Sequence, residues 1–383
     1  CRQAGREDLP GGVCMGSGGS GTMQSLAGIR LARVVAGLTI GAMLAPGVAM
    51  AQTPAAEVDL APVKAYLVEH VGKSKAGTEA VLGYAQTYYD MAEEAGFDYD
   101  ALWAAHGPEI TTLLTDARQA WINDASGNYE LSEGLVAGVP SLAEFDVLID
   151  AGPSGEDDPE NALDNTVEFP DGTVIERPGS LYHYMTEPAL WGTNEDFVAM
   201  RVDMDGDGEQ ELGEVLPDAN ALLGTTQALD TATGDLVTAV DAWDPTDSDA
   251  FTAIVIMVPT IGGYFDEWKE SVYVAGSESE EARFVGVSRL VDVAGIMNGL
   301  DVTYGVLQPT VAATDPELAA QIDTELDELI AFVKDLHAQE EAGTTFTPEQ
   351  ADQFGVELQA RATGIAGQVS QAAGLLGVEI QEG

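Results

Sequence analysis

Basic residues are scarce in this chain: 15 Lys and Arg stand against 65 Asp and Glu, for a formal charge of −50. That excess repels polyanions, so nucleic acid and anionic lipid surfaces are poor partners. It suits a protein kept solvated by carboxylates in salty surroundings, or one whose field concentrates cations, and charge alone does not separate the two. Cysteine is nearly missing. Cys1 and Cys14 are the two in 383 residues, and both precede the cleavage point expected below. The remaining chain then has no disulfide, thiolate metal site or cysteine nucleophile. Any metal must be held by oxygen and imidazole, which favours hard or borderline cations such as calcium, iron or manganese. There are four histidines, and His70, His106 and His337 fall on separate helical segments with no partner at ligand spacing. His-Glu-x-x-His, Gly-x-Ser-x-Gly, a phosphate-binding glycine loop and a dinucleotide fingerprint are all missing.

Residues 1–51 read as a leader and secretory signal. Met23 opens the signal, Arg30 and Arg33 give it a positive end, Val34 to Ala45 form its apolar core, and Ala49-Met50-Ala51 matches a small-x-small cleavage pattern. Cleavage after Ala51 and a periplasmic or secreted location follow as expectations. No later run approaches the length needed to span a bilayer, so no membrane span is expected in the mature chain.

What remains is mostly helical in pattern. Val63, Leu67 and Val71 make one stripe, and Val81, Leu82, Ala85 and Tyr88 a second. Ile110, Leu113, Leu114, Ala117 and Trp121 make a third, after Pro108. Asp315-Pro-Glu317 is a helix start, followed by an apolar stripe through Leu318, Ile322, Leu326, Leu329, Val333 and Leu336; Thr347-Pro-Glu-Gln350 is a capping box for the last helix. In the middle, residues 152–165 read as a loop, and Thr166 to Arg177 as a small hairpin around Pro170-Asp171-Gly172. The expected class is all-α: two packed helical bundles, with a small hairpin and an acidic irregular insertion. The boundaries are an N-terminal bundle with the hairpin at 52–192, the insertion at 193–250 and a C-terminal bundle at 251–383.

Leu181-Tyr-His-Tyr-Met-Thr-Glu-Pro-Ala-Leu-Trp-Gly192 places His183 four residues before Glu187. On a helix this pair shares a face, so an imidazole nitrogen and a carboxylate oxygen could converge on one cation. With Gly179 and Leu190-Trp191-Gly192, the run resembles the Gly-x-His-x-x-Glu signature of the imelysin family, which includes nominal metallopeptidases and the periplasmic subunit of Efe-type iron-uptake systems. Here His183 stands one residue before the family histidine, whose slot holds Tyr184. Further similarities run in order along the chain: Arg118-Gln-Ala-Trp121, Tyr129 to Glu133, Phe145-Asp146 with Ile149-Asp150, and Asp292, Gly299 and Tyr304. The resemblance implies a double helical bundle with a polar cleft. It places His183, Glu187, Glu133 and Asp150 at the metal, with Tyr129, Tyr184 and Trp191 lining the cleft. It also implies iron, or another divalent cation, as the ion and a membrane iron permease as a possible partner.

Asp203-Met-Asp-Gly-Asp-Gly-Glu-Gln-Glu-Leu-Gly-Glu214 fits a calcium-loop template. Asp203, Asp205 and Asp207 occupy positions 1, 3 and 5, and Gly208 allows the turn at 6. The Glu209 carbonyl serves 7, Glu211 serves 9 and Glu214 serves 12. Pro217 follows too soon for an ordinary outgoing helix, so an isolated structural Ca2+ loop is expected. The leading expectation for function is a non-catalytic exported iron-binding protein. Its alternatives are a metallopeptidase, or a calcium-stabilised surface module binding an organic or polysaccharide ligand.

Overall fold

A computed structural model describes residues 58–381. The leader, its cleavage point and both cysteines lie outside them. The described chain is all-α, with two very short hairpins. α1 (Ala61–Glu94) and α2 (Tyr99–Ala120) are followed by α3 (Gly127–Val136), α4 (Ala143–Asp146) and α5 (Glu187–Trp191). Next come α6 (Ala219–Ala242), α7 (Asp247–Met257), α8 (Ile261–Glu270), α9 (Arg289–Thr314), α10 (Pro316–Glu341) and α11 (Pro348–Leu376).

Each bundle forms because regular apolar stripes need covering. In α1 the buried face runs Val63, Leu67, Val71, Thr78, Val81, Ala85, Tyr88 and Ala92, and it packs on α2 and α6. Burying one Val or Leu is worth about 1.5–3 kcal/mol, so a stripe of this length fixes the helix more strongly than its intrinsic propensity does. In α10 all six residues of the predicted stripe are buried. Asp315 caps that helix by accepting the Leu318 N–H at 3.0 Å. Thr347 and Gln350 form the reciprocal capping box of α11. α11 packs against α7, α8 and α10.

The predicted hairpin is present: β1 (Thr166–Glu168) pairs antiparallel with β2 (Val174–Glu176), Val167 opposite Ile175. A second pair, β3 (Val198–Arg201) with β4 (Val215–Pro217), flanks the 203–214 loop.

One expectation is corrected. Residues 193–250 are not irregular throughout, because α6 fills Ala219–Ala242 and pairs with α1. Its Thr225, Thr226, Thr231, Thr233 and Thr238 lower helix propensity, yet each hydroxyl bonds a carbonyl three or four residues back, and tertiary packing of Leu222, Leu229 and Leu236 prevails. Two stretches, Asp247–Glu270 and Arg289–Thr314, are long and apolar enough to cross a membrane by length and composition. Of their most apolar windows, 50% and 61% are buried against the rest of the chain.

α9 packs on both α3 and α10. Its approach to α3 is set by glycine. A methyl on Gly299 would stand 2.6 Å from the Leu131 carbonyl oxygen, and one on Gly295 would stand 2.9 Å from Cβ of Glu130. Only hydrogen fits there, and this close crossing brings the acids of α3 against those of α9.

Candidate metal centre

Widened helical turns with i→i+5 bonding interrupt the helices at Trp121–Ser126, Val147–Ala151 and Leu181–Thr186. Such turns re-aim side chains and recur at functional sites. The second carries Asp150 and the third carries His183, so both donors sit on re-aimed backbone. The His-x-x-x-Glu spacing lies across the third turn and the start of α5, and the pair meets: His183 Nδ1 is 2.9 Å from Glu187 Oε2.

The Glu187 carboxylate also accepts the backbone N–H groups of Phe284, Val285 and Gly286 at 2.8–2.9 Å. It sits in a nest of three consecutive amides, with its oxygens committed. Glu187, expected as a ligand, holds the Nδ1 side of the imidazole, which leaves Nε2 on the opposite side. His183 Nε2 faces the Asp150 carboxylate, 3.0 Å from Oδ1, yet neither atom is in a well-aligned hydrogen bond.

Around that nitrogen lies a buried ring of acids. Glu130 and Glu133 come from α3, Asp146 from α4 and Asp292 from α9; all are buried, as are Asp150 and His183. No N–H or O–H of another residue type reaches either oxygen of Glu130, Glu133 Oε2 or Asp292 Oδ1, and the Glu130 and Glu133 carboxyls lie against each other. Glu130, Asp150 and His183 can each bring one donor atom within 4.8 Å of the others, and so can Glu133, Asp146 and Asp150. Tyr129, buried completely, donates its hydroxyl to Asp146 Oδ1 at 3.0 Å, and Tyr264 donates to Glu133 Oε1. Arg289 is occupied by Asp292 at 2.7 Å and Glu267 at 2.9 Å.

The electrostatics follow from burial. The Glu133 carboxyl is pushed up to about 7 by burial and the Asp150 charge. Burial lifts Asp292 to about 6 despite Arg289. Glu130 and Asp146 are raised well above the carboxylate range by burial and neighbouring acids. Burial would depress the His183 imidazole, but Asp150 and Glu187 outweigh it and hold it at about 10. Asp150 moves the other way: burial would raise it, and His183 lowers it. Buried carboxyls facing one another hold protons until a stronger Lewis acid replaces them.

Of the aromatic residues expected to line a cleft, Tyr129 reaches the acids through its hydroxyl. Tyr129 and Trp191 are buried, and Trp121 meets Trp191 edge-on at 5.2 Å. Tyr184 is half-buried and accepts from Arg283 Nη1 at 2.9 Å. Phe284, in the left-handed region at φ 57°, covers His183 with ring centres 4.5 Å apart. The centre is therefore enclosed by the 284–286 loop. Two surface cavities, one beside Trp103 and Met204 and one between Leu148, Val167 and Gly224, are lined by none of its residues.

Glu130, Asp146, Asp292 and Arg289 were not among the expected site residues. Glu130 lies three residues before Glu133, and Asp146 four before Asp150, so the helical face of each assigned acid carried the signal.

The second candidate, the 203–214 loop, closes between β3 and β4. Asp203 accepts the N–H of Gly206 at 2.6 Å and of Gly208 at 3.0 Å. Asp205 and Asp207 accept from Asp207 and Glu209. Asp203, Asp205 and Glu214 come within ligand reach of one another. Among the described residues Asp207, Glu209 and Glu211 are not part of that group. Glu214 accepts N–H from Met204, Asp205 and Glu211, and those from Glu211 and Met204 chiefly hold its carboxyl below the usual range.

No curated protein matches the chain. The family model described as Imelysin, peptidase M75, matches residues 83–370, a span that takes in every residue of the buried centre, and the chain therefore belongs to the imelysin family.

Proposed function

We propose that this is an exported, non-catalytic imelysin-family protein that captures or delivers iron, binding it at His183 Nε2 with Asp150 and Glu130. The observation that carries the reading is the convergence of three buried donor groups, with His183 Nε2 against Asp150 Oδ1 at 3.0 Å and the Glu130 oxygens receiving no N–H or O–H. One imidazole and carboxylate oxygens suit a borderline divalent ion such as iron(II). The Glu187–His183 contact supplies the carboxylate–imidazole pairing that fixes the tautomer of metal-binding histidines. Export follows from the signal-like segment ending at Ala51, and a membrane iron permease is the partner a delivery role would need. The enclosure of the centre favours a small ion over a peptide substrate, since a metallopeptidase needs an open coordination position beside a polypeptide groove.

Iron(II) titration of the metal-free protein by calorimetry, without oxygen, tests this reading. Binding should strengthen as pH rises from 5.5 to 7.5, because cation and proton compete for the same groups. Each proton displaced is worth up to about tenfold in affinity per pH unit below its pKa, so a gain of roughly 10–100-fold is expected. The metal-free protein should show the opposite trend in melting temperature. Glu133, Asp292 and His183 all have folded-state values above their usual ones, at about 7, 6 and 10. Their stabilisation is fully present below the unfolded values and is lost as pH rises through the folded ones. Affinity that does not change with pH would count against the assignment.

A calcium ion at the 203–214 loop is proposed as a structural element. The sequence template supports it, together with the reach of Asp203, Asp205 and Glu214. Calcium at millimolar concentration should raise the melting temperature, and Asp205→Asn should abolish most of that rise. An equal rise in both proteins would remove the loop from consideration.

A further inference from the structure

We infer that the buried centre holds two cations, bridged by Asp150. The inference rests on the reading of this cluster as a cation site and extends it from one ion to a pair. Asp150 belongs to both donor groups, Glu130–Asp150–His183 and Glu133–Asp146–Asp150, and a carboxylate has one oxygen for each ion. Buried oxygens that receive no N–H or O–H occur on both sides of it, both of Glu130's on one and Glu133 Oε2 on the other, and His183 Nε2 meets Asp150 Oδ1 at 3.0 Å on the first side.

The second group is built as a site in its own right. Tyr129 holds one Asp146 oxygen and Tyr264 holds one Glu133 oxygen. Each hydroxyl fixes its carboxylate and leaves the second oxygen for other chemistry. Charge points the same way. Arg289 is paired with Asp292 and Glu267, and His183, once it binds metal through Nε2, is neutral. Glu130, Glu133, Asp146, Asp150 and Glu187 then present five negative charges in a buried space, of which one divalent ion offsets two and a pair offsets four. Ions sharing a carboxylate in this way typically lie about 3.5–4 Å apart. The positions differ in kind. The first offers nitrogen and oxygen, the second oxygen alone, so the second prefers the harder ion.

Manganese(II) is the probe. The metal-free protein is titrated with Mn2+, bound ions are counted, and electron paramagnetic resonance is recorded at saturation. The wild type should show the spectrum of an exchange-coupled Mn2+ pair. Asp146→Asn, which keeps an acceptor for Tyr129, should bind one ion fewer per chain and show isolated Mn2+. Glu133→Gln, which keeps an acceptor for Tyr264, should do the same, so the result does not depend on the folding of one variant. Because the readout is a difference, an ion at the 203–214 loop does not affect it. Isolated Mn2+ alone in the saturated wild type, with one ion lost in His183→Gln and none in Asp146→Asn, would overturn the pair and leave a single-cation centre. No ion lost in any of the three variants would overturn the cation reading itself.

Discussion

His183→Ala should lower iron(II) affinity by more than about a hundredfold. The side chain is the one nitrogen donor of the centre, and Nε2 is the atom left free when Glu187 holds Nδ1. Loss of a partner that only orients a metal-bound histidine commonly costs 10–100-fold, so loss of the donor itself should cost more. The substitution also leaves a void beside Trp121 and Phe284, which ring contacts place around the imidazole. His183→Gln separates the effects. It fills most of the space and can donate to Glu187, but it lacks a nitrogen lone pair for the metal. Both variants should lose iron binding, and the glutamine should retain more stability. Calorimetry with the two proteins at one pH measures this, and near-wild-type affinity in His183→Gln would remove the imidazole from the ligand set.

Glu187→Ala should act first on stability, with a cost of about 3–5 kcal/mol. The carboxylate is completely buried and accepts three backbone N–H groups as well as the imidazole. Its removal leaves those donors unsatisfied and takes away the partner of a charged group, each a large effect in an interior. The 284–286 loop should then release from His183, and Phe284 should leave its left-handed conformation, which without that restraint costs of order 1–3 kcal/mol. Glu187→Gln keeps a carbonyl oxygen for part of the amide nest, so it should recover roughly half the stability. Iron affinity in this variant should fall about 10–100-fold, less than for His183→Gln, because orientation is lost and the donor remains. Urea denaturation of the metal-free variants, followed by titration, gives both numbers. An affinity loss in Glu187→Gln as large as in His183→Gln would make Glu187 a ligand after all.

Much of this fold is legible in the sequence where local signals and packing agree. The α10 stripe, the Asp315 cap and the Thr347–Gln350 capping box sit where spacing alone puts them. α6 is hidden because its threonines and glycines oppose helix formation locally, and only the long stripe against α1 restores it. The start of α7 is a similar case. Its Thr246–Asp249 capping box lies in a run of aspartates that reads as an acidic turn.

The centre divides the same way. Spacing brings His183 and Glu187 together, but not the roles of the two. Which nitrogen faces the acids depends on the amides of residues 284–286, a hundred residues away. Glu130 and Asp292 face each other because glycines at 295 and 299 let α3 and α9 approach. A carboxylate at helical spacing can be paired, solvated or converged on a cation, and the helix crossing decides which.

The most direct test of the central assignment is a crystal structure of the iron(II)-loaded protein, with anomalous diffraction at the iron edge. An iron peak should lie roughly 2.0–2.3 Å from His183 Nε2 and an Asp150 oxygen, with Glu187 off the metal and still bonded to Nδ1. Iron located elsewhere, with His183 and Asp150 still 3.0 Å apart and in direct contact, would contradict it.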